Sequence, residues 1–317
     1  MLAWLRQHLP RRFTRIQFRD RVVVISGGSR GLGLELARVF AYEGARIVLL
    51  ARDREELDRA VEILAHVDTL ALVCDVASPE QVDTAVSEIV DRWGRVDVLI
   101  NNAGVIEVGP FEHMGPEDWQ RAFDAHLSGP LQLIRASLPH MRRGSRVVNV
   151  SSIGGLVALP HLAPYCASKH ALVGLSDALR IELAPRGIAV TTACPWLMRT
   201  GSPPHVVVKG HHEREYEWFA TLDNTPMLSQ RADYAAHRIV EATRRGLPRV
   251  LPTLYAKLLV LANAVAPDLV TWGMRVFETF LPGPNRPVGD EPRPGRAYTV
   301  PEWVRPYQTA SAQRNNE

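Results

Sequence analysis

Short apolar runs alternate with helix-like segments from residue 21 to about residue 255, and this alternation restricts the chain to few folds. The first run, Val22 to Ile25, is apolar throughout, which is typical of a strand that is buried on both faces of a sheet. Further runs of this kind are 47–50, 69–74, 96–100, 147–150 and 188–193. Because strands and helices alternate strictly, the sequence predicts an α/β fold with a Rossmann-like, doubly wound parallel sheet and helices on both faces.

A glycine-rich segment, SGGSRGLG at residues 26–33, follows the first predicted strand and precedes a helix-like segment. Glycines allow the backbone to turn tightly and to approach a pyrophosphate, and the N-terminus of a helix offers free N–H groups to an anion. The spacing is G-x-x-x-G-x-G rather than G-x-G-x-x-G. Strand, glycine loop and helix in this order predict a dinucleotide site beyond the carboxyl ends of the strands.

The residues after the second predicted strand, Ala51-Arg52-Asp53, bear on which dinucleotide binds. A carboxylate here would accept a hydrogen bond from the ribose 2′-hydroxyl of NAD, whereas an arginine would accommodate the 2′-phosphate of NADP. Asp53 begins the pattern D-x-x-E, which is typical of a helix N-cap, so we assign it to the cap. Arg52 and Arg30 then offer two guanidinium groups to a phosphate, and the sequence predicts NADP(H) as the cofactor.

Tyr165 and Lys169 stand four residues apart, which places them on one face of a helix. A lysine cation nearby favours the phenolate form, so this tyrosine is predicted to exchange a proton near neutral pH. Ser152 follows the predicted strand at 147–150, where its hydroxyl can hydrogen-bond a carbonyl oxygen. The tyrosine and lysine alone would also fit a solvated helix surface, so their interpretation depends on the predicted dinucleotide site.

Composition excludes several classes of function. The three cysteines lie far apart and fit no metal-ligand spacing, and the eleven histidines form no metal-binding pattern, so we expect no metal. An odd, sparse set of cysteines predicts a reducing, cytoplasmic environment. The net charge of +3 comes from residues 1–19, which hold five arginines and no acid. The rest of the chain is near neutral, which argues against nucleic-acid binding.

Together these segments resemble the short-chain dehydrogenase/reductase family over roughly residues 20 to 255. The resemblance is carried by SGGSRGLG at 26–33, CDV at 74–76, NNAG at 101–104, Ser152 and YCASK at 165–169. It implies hydride transfer between a nicotinamide and a small-molecule carbonyl or alcohol: Tyr165 exchanges the proton, Ser152 orients the oxygen and Lys169 also binds the nicotinamide ribose. We call these three residues the catalytic trio. The cofactor is expected to contact Gly27, Ser29, Arg30, Gly31, Leu32, Gly33, Arg52, Asp75, Val76, Asn101, Asn102, Ala103, Gly104, Tyr165, Lys169, Pro195 and Thr200.

Two positions depart from the family pattern. His126, in DAHLSG, stands where the family usually has an asparagine that holds a helix bend and a water leading to the lysine, and we include it as a candidate catalytic residue. Trp196 replaces the glycine after Pro195, and its ring is expected near the nicotinamide and the substrate. These departures favour an alternative function, a catalytically silent NADP-binding scaffold or sensor. The intact catalytic trio favours an enzyme, because a scaffold has no use for it.

The substrate is expected beneath residues 197–228, which are predicted to form a loop over the site. Trp196, Trp218 and Phe219 are the candidate substrate contacts. The segment has no polar cluster suited to a phosphorylated or carboxylate substrate, so an apolar carbonyl compound or secondary alcohol is predicted.

The catalytic domain, residues 20–255, is flanked by three further predicted segments. Residues 1–19 form a basic arm that is expected to be a short helix packed on the domain, residues 256–281 an apolar helical extension, and residues 282–317 a Pro-rich, extended tail that is disordered or wrapped on a surface. We expect residues 254–281 to pack on the protein's own core or on a second subunit of a homo-oligomer. Peripheral contact of this segment and the arm with a membrane is the less favoured alternative.

Overall fold

Seven parallel strands form the central sheet of this computed structural model, which describes residues 13–284 and 288–317. The strands are β1 Val22–Ser26, β2 Arg46–Ala51, β3 Thr69–Val73, β4 Val98–Asn101, β5 Arg146–Val150, β6 Ala189–Ala193 and β7 Arg249–Val250. Their order in the sheet is β7-β6-β5-β4-β1-β2-β3, and every pairing is parallel. The chain reverses its direction of winding between β1 and β4. This order confirms the predicted Rossmann-like α/β fold, and ligands bind at such a switch point.

Helices cover both faces of the sheet. In chain order they are α1 Gly31–Tyr42, α2 Arg54–Ile63, α3 Pro79–Trp93, α4 Pro116–Phe123, α5 Gly129–Ser137, α6 Ala163–Leu183, α7 His212–Asn224 and α8 Ala232–Arg245. Alternate side chains of β1 point to opposite faces: Val23 and Ile25 pack with α1, α2 and α8, whereas Val22 and Val24 pack with α3, α5 and α6. Because both faces are covered, β1 is apolar at consecutive positions.

The helical segment that covers residues 116–137 is interrupted. α4 ends at Phe123, a π-helical turn follows at Asp124–Ser128, and α5 begins at Gly129. Pro130 lies in the first turn of α5. Since proline has no N–H to continue the hydrogen-bond ladder of an α-helix, the preceding turn widens. His126 is buried inside this turn.

The segment predicted as a substrate loop, residues 197–228, contains the helix α7 and the short strands 198–199 and 207–208. The prediction of a loop was wrong for α7. Its sequence HEREYEW is highly charged, yet Glu215 is fully buried and pairs with His161 at 2.8 Å. Tyr216 and Phe219 of the same helix are buried in a small hydrophobic cluster beside the sheet.

Two further helices, α9 Leu254–Val265 and α10 Pro267–Glu278, divide the single extension predicted at 256–281. We call them the apolar helix pair. Their axes are bent by 119° at a break that precedes Pro267. In the described part of the chain no single helix is long and apolar enough to cross a membrane, but these two together reach that length and composition.

The described part of the Pro-rich tail wraps on the body and is only partly extended. Residues 293–294 pair antiparallel with 207–208, and a helix that the sequence did not predict, α11 Arg305–Arg314, follows. In the N-terminal arm, residues 1–12 lie outside the described residues. Residues 13–18 are not helical, and they place Ile16 and Phe18 in the core.

Candidate active site

The glycine loop between β1 and α1 requires glycine at two positions, Gly27 and Gly33. Gly27 has a φ of +62°, a left-handed conformation that favours glycine. A Cβ on Gly33 would stand 1.9 Å from the carbonyl oxygen of Gly27, so α1 could not approach the loop with any side chain there. The Asn102 amide, at the end of β4, donates hydrogen bonds to the carbonyls of Ser26 and Gly27 at 3.1 and 3.0 Å. These contacts fix a loop whose backbone approaches a ligand closely, as a pyrophosphate requires.

A cavity of about 550 Å³ lies in front of this loop at the carboxyl ends of the strands. The predicted cofactor contacts in its wall are Gly27, Ser29, Arg30, Gly31, Leu32, Arg52, Asp75, Val76, Asn102, Ala103, Gly104 and Thr200. Two predicted contacts stand behind the wall: Gly33 holds α1 against the loop, and Asn101 is buried and donates to Asn149 at 2.7 Å. Pro195 lies in the wall of a neighbouring small cavity of about 110 Å³, which Ser152 and Tyr165 also line. A glycine cradle and a helix N-terminus in one cavity fit a dinucleotide.

Arg52 lies on the exposed rim of the cofactor cavity, and Arg30 lies in its wall. The side chain of Asp53 accepts a hydrogen bond from the backbone N–H of Glu56 at 2.9 Å, which confirms that Asp53 caps α2. Arg30 is engaged within the chain: its guanidinium pairs with Glu56 at 3.4 Å and with Glu317 at 2.5 Å.

The catalytic trio converges on one wall. Ser152 follows β5, and Tyr165 and Lys169 lie one turn apart on α6, with the Lys169 Nζ 5.7 Å from the centre of the Tyr165 ring. Ser152 and Tyr165 line a small cavity of about 110 Å³. Tyr165 and Lys169 line a second one of about 220 Å³, which shares Arg30, Asn102 and Gly104 with the cofactor cavity. The trio therefore stands between the cofactor cavity and the substrate side.

Burial controls the ionisation of both α6 residues. It raises the pKa of Tyr165, and the hydrogen bond from Ser152 opposes this rise only in part. In the protein without a ligand, burial therefore outweighs the stabilisation of the phenolate that Lys169 is predicted to give. The Lys169 Nζ donates to the carbonyl of Val150 at 2.9 Å, and burial lowers the pKa of Lys169 to about 8. Tyr165 is thus a neutral phenol at neutral pH, and it can donate a proton.

His126 has hydrogen bonds at both ring nitrogens. Its Nε2 accepts from the backbone N–H of Val105 at 3.1 Å, so its Nδ1 carries the proton and donates to the Ser168 hydroxyl at 2.7 Å. That hydroxyl donates in turn to the carbonyl of Tyr165 at 3.0 Å. Burial, and then the charge of Lys169, hold the pKa of His126 well below its usual value. The imidazole is neutral and joins the π-helical turn to α6 and to the loop after β4.

The three predicted substrate contacts share a second, apolar cavity of about 420 Å³. Its wall contains Trp196, Trp218 and Phe219 together with residues of the apolar helix pair, among them Leu259 and Met274. The indole N–H groups of both tryptophans are bonded away from the cavity, Trp196 to the Leu228 carbonyl and Trp218 to Glu215, each at 2.7 Å. The small cavity of Ser152 and Tyr165 shares with this one Ile153, Leu159, Leu162, Trp196, Leu197 and Phe219.

The sequence reasoning missed polar residues at these cavities, among them the acids Asp223 and Glu317. Asp223 of α7 lines the cavity of Ser152 and Tyr165, and burial raises its pKa to about 7. Glu317 lines the cofactor cavity and also contacts His205, at 3.1 Å. The sequence carries a signal for neither acid, because tertiary contacts between distant segments bring them to the site.

Comparison with known proteins agrees with this geometry. The chain matches the family described as short chain dehydrogenase over residues 21–206. It is 40% identical over 280 residues to Dehydrogenase/reductase SDR family member 7B of Bos taurus, which covers 85% of this chain and 82% of that protein. It is 34% identical over 208 residues to Dehydrogenase/reductase SDR family member 7C of Xenopus tropicalis, which covers 63% of this chain and 67% of that protein.

Solved structures show the same fold. The short-chain dehydrogenase of Streptomyces avermitilis aligns with a TM-score of 0.69 and 30% identity, over 82% of this chain and 98% of that one. A short-chain dehydrogenase/reductase of Burkholderia phymatum, solved in complex with NAD, aligns with a TM-score of 0.70 and 24% identity, over 86% and 99% of the two chains. The chain therefore belongs to the short-chain dehydrogenase/reductase family of nicotinamide-dependent, hydride-transferring oxidoreductases.

Proposed function

We propose that this protein is an NADP(H)-dependent reductase that interconverts a carbonyl group and a secondary alcohol on an apolar substrate. The observation that carries the proposal is the position of the catalytic trio. Tyr165 lies in the wall of two small cavities, one continuous in lining with the cofactor cavity and the other with the apolar cavity. A carbonyl carbon between them would face the nicotinamide on one side and the phenol on the other.

The chain's own residues supply the proton and the orientation. NADPH, when bound, supplies the hydride that forms the new C–H bond. The Ser152 hydroxyl and the Tyr165 phenol hold the substrate oxygen, and the phenol O–H bond breaks as the O–H bond of the alcohol forms. Because burial raises the pKa of Tyr165, the phenol is fully protonated before the reaction. Lys169, with its ammonium beside the ring, stabilises the phenolate that is left.

The preference for the phosphorylated cofactor rests on charge at the adenosine end of the cavity. Arg52 follows β2 with its side chain on the rim, while Asp53, the carboxylate that would select NAD, is used as the cap of α2. An exposed guanidinium beside a ribose gives a charge-assisted contact to a 2′-phosphate.

The preference for an apolar substrate rests on the lining of the larger cavity. Its described wall is formed by apolar side chains and Gly273, since both tryptophan N–H groups point to other partners. A polar or charged substrate would lose its hydration there without replacement hydrogen bonds. Asp223, at the polar end near Tyr165, is the one carboxyl in the described lining of the small cavity.

The compartment and assembly are part of the proposal. Cys74, Cys166 and Cys194 are all buried free thiols, which supports a reducing cytoplasmic environment. A homo-oligomer stays a prediction, and sedimentation of the purified protein measures it.

A matched series of ketones tests the proposed function. NADPH oxidation is followed with methyl ketones of increasing chain length, and kcat/KM is expected to rise with each added methylene group by roughly fourfold, the factor given by about 0.8 kcal/mol per buried CH₂. Tyr165→Phe is the matched control, since it should bind NADPH without turnover. Tight NADPH binding with no turnover of any carbonyl or alcohol would instead favour the scaffold.

A further inference from the structure

The apolar helix pair leaves a large apolar surface uncovered. Only Ala256 is buried within its two helices. Nine large side chains on the pair and just after it are 40% to 77% exposed: Leu254, Tyr255, Leu258, Leu261, Val265, Leu269, Trp272, Val276 and Phe280. Isolated exposed apolar residues are ordinary, but a continuous set of this size on two adjacent helices marks an interaction surface.

The opposite side of the pair forms part of the wall of the apolar cavity of about 420 Å³, which we call the substrate cavity. Leu259, Val270 and Met274 pack on Ile153, next to Ser152 of the catalytic trio. Gly273 and Phe277 complete this part of the wall. Phe277 contacts Trp218 edge to face at 6.2 Å, and Glu278 reaches His161 at 3.2 Å. The helix pair is thus one layer thick between the cavity and its own exposed face.

We propose that the exposed face of the apolar helix pair docks into the surface of a lipid bilayer, and that the substrate cavity receives its apolar substrate from the bilayer across this layer. The docking stands on the exposed face alone. The route of the substrate rests in addition on the proposed function.

The composition of the pair favours lipid over a second copy of the chain. The two helices together reach the hydropathy and length of a membrane segment, yet the bend of 119° fits helices that lie in the surface better than a straight span. An interface between subunits has a polar rim around its apolar centre. α9 has a single charged residue, Lys257, in twelve.

The polar residues of the pair are also placed as a lipid surface requires. Lys257 and Arg275 have long side chains that can reach headgroup phosphates while their stems stay in apolar surroundings. Trp272, 64% exposed, and Tyr255, 41% exposed, are aromatic residues of the kind that lie at the headgroup level. Of the two acids, Glu278 is paired with His161. Because apolar side chains form most of the exposed face, we expect it to bind vesicles without anionic lipid as well.

Flotation with vesicles tests the docking. The full chain is mixed with phosphatidylcholine vesicles, with and without phosphatidylserine, and centrifuged through a density gradient. The double variant Leu261→Glu, Trp272→Glu places charges at two exposed positions that do not line the cavity. Phe111→Glu is the matched control, since Phe111 is 67% exposed in a different part of the chain.

We expect the wild type and Phe111→Glu to float with both kinds of vesicle, and the double variant to lose binding by ~tenfold or more, since two large apolar side chains no longer enter the lipid. NADPH binding by all three proteins shows that they are folded. A wild type that does not float overturns the proposal. If it then sediments as a dimer that the double variant dissociates, the occupant is a second copy. Flotation that requires phosphatidylserine and persists in the double variant also overturns the proposal. It would show that a basic segment, such as residues 1–19, binds the vesicles instead of the apolar helix pair.

An activity measurement tests the route separately. With a long-chain ketone held in vesicles, the double variant should turn over substrate at least ~tenfold more slowly, while its rate with a short, water-soluble ketone equals that of the wild type. Equal rates on the vesicle-held ketone, with flotation lost, would overturn the route and leave the docking intact. Absence of turnover with every ketone, with flotation intact, would count against the proposed function instead.

Discussion

The state of Tyr165 decides its role at the scale of single residues. Burial raises the pKa of the phenol, so it holds its proton until the substrate oxygen accepts it. Tyr165→Phe should therefore lower kcat for carbonyl reduction by at least ~100-fold, the scale of general acid–base catalysis, with the NADPH affinity unchanged. Steady-state kinetics and fluorescence titration of NADPH measure the two quantities. Near-normal turnover would remove Tyr165 from the proton step.

Lys169 makes cofactor binding depend on pH. Its pKa in the protein without cofactor is lowered to about 8 by burial, whereas the anionic cofactor favours the protonated lysine. As the pH rises through about 8, the free protein loses this proton and must regain it on binding, so NADPH affinity should fall, by up to about tenfold per pH unit. Titrations across this range in the wild type and in Lys169→Met provide the comparison. An identical pH dependence in both proteins would assign the effect to another group.

We expect a structural role for His126, which stands where the family usually has an asparagine. Both of its nitrogens are hydrogen-bonded within the protein, and burial lowers its pKa, which favours the neutral imidazole. His126→Asn should keep within about tenfold of the wild-type kcat, because an asparagine amide can also donate and accept one hydrogen bond here. His126→Leu, which leaves the Val105 N–H without its partner, should lower thermal stability more than His126→Asn does. A folded but inactive His126→Asn protein would instead show that the imidazole takes part in chemistry.

Among the larger elements, the segment after α11, residues 315–317, is expected to affect cofactor binding. The Asn315 carbonyl accepts from the N–H of Gly31 at 2.9 Å, and Glu317 pairs with Arg30, so this segment engages two groups that can bind a phosphate. Glu317→Gln should release Arg30 and tighten NADPH binding by roughly fivefold, about 1 kcal/mol, with a smaller effect on NADH. Glu302→Gln, an exposed position in the same tail, is the control. Weaker NADPH binding in Glu317→Gln would mean that the segment holds the cofactor in place.

For the whole molecule, cofactor binding should stabilise the fold. We expect NADPH to stabilise it more than NADH, because of Arg52. A ligand at ~100 times its Kd adds about 2.7 kcal/mol to the free energy of unfolding. We expect NADPH to bind at least tenfold more tightly than NADH, a difference of about 1.4 kcal/mol, and to raise Tm more at equal concentration. Arg52→Ala should reduce this difference and leave the Tm with NADH nearly unchanged. Equal Tm shifts by the two cofactors in the wild type would show that Arg52 does not contact the phosphate.

The parts of this protein that depend on local chemistry are predictable from its sequence alone. Continuous apolar runs identify β1 and its neighbours because both faces of a parallel sheet are buried. The glycine loop was predictable because its backbone conformation admits little else. Tyr165 and Lys169 were placed together because the helical repeat fixes their spacing. The cap at Asp53 was predictable for the same reason, since its partner Glu56 is three residues away.

Features that depend on residues distant in the chain are visible only in the folded protein. The pKa of Tyr165 follows from burial, which the spacing of Tyr165 and Lys169 does not reveal. The helix α7 was hidden by a charged sequence whose Glu215 finds its partner 54 residues away, in His161. Glu317 reaches Arg30 across 287 residues. One side of the apolar helix pair packs against the cluster of Ile153, Val157 and Ala256, whereas the other side stays exposed. Local sequence sets backbone conformation, but the contacts that fix charge, burial and exposure form only when the chain has folded.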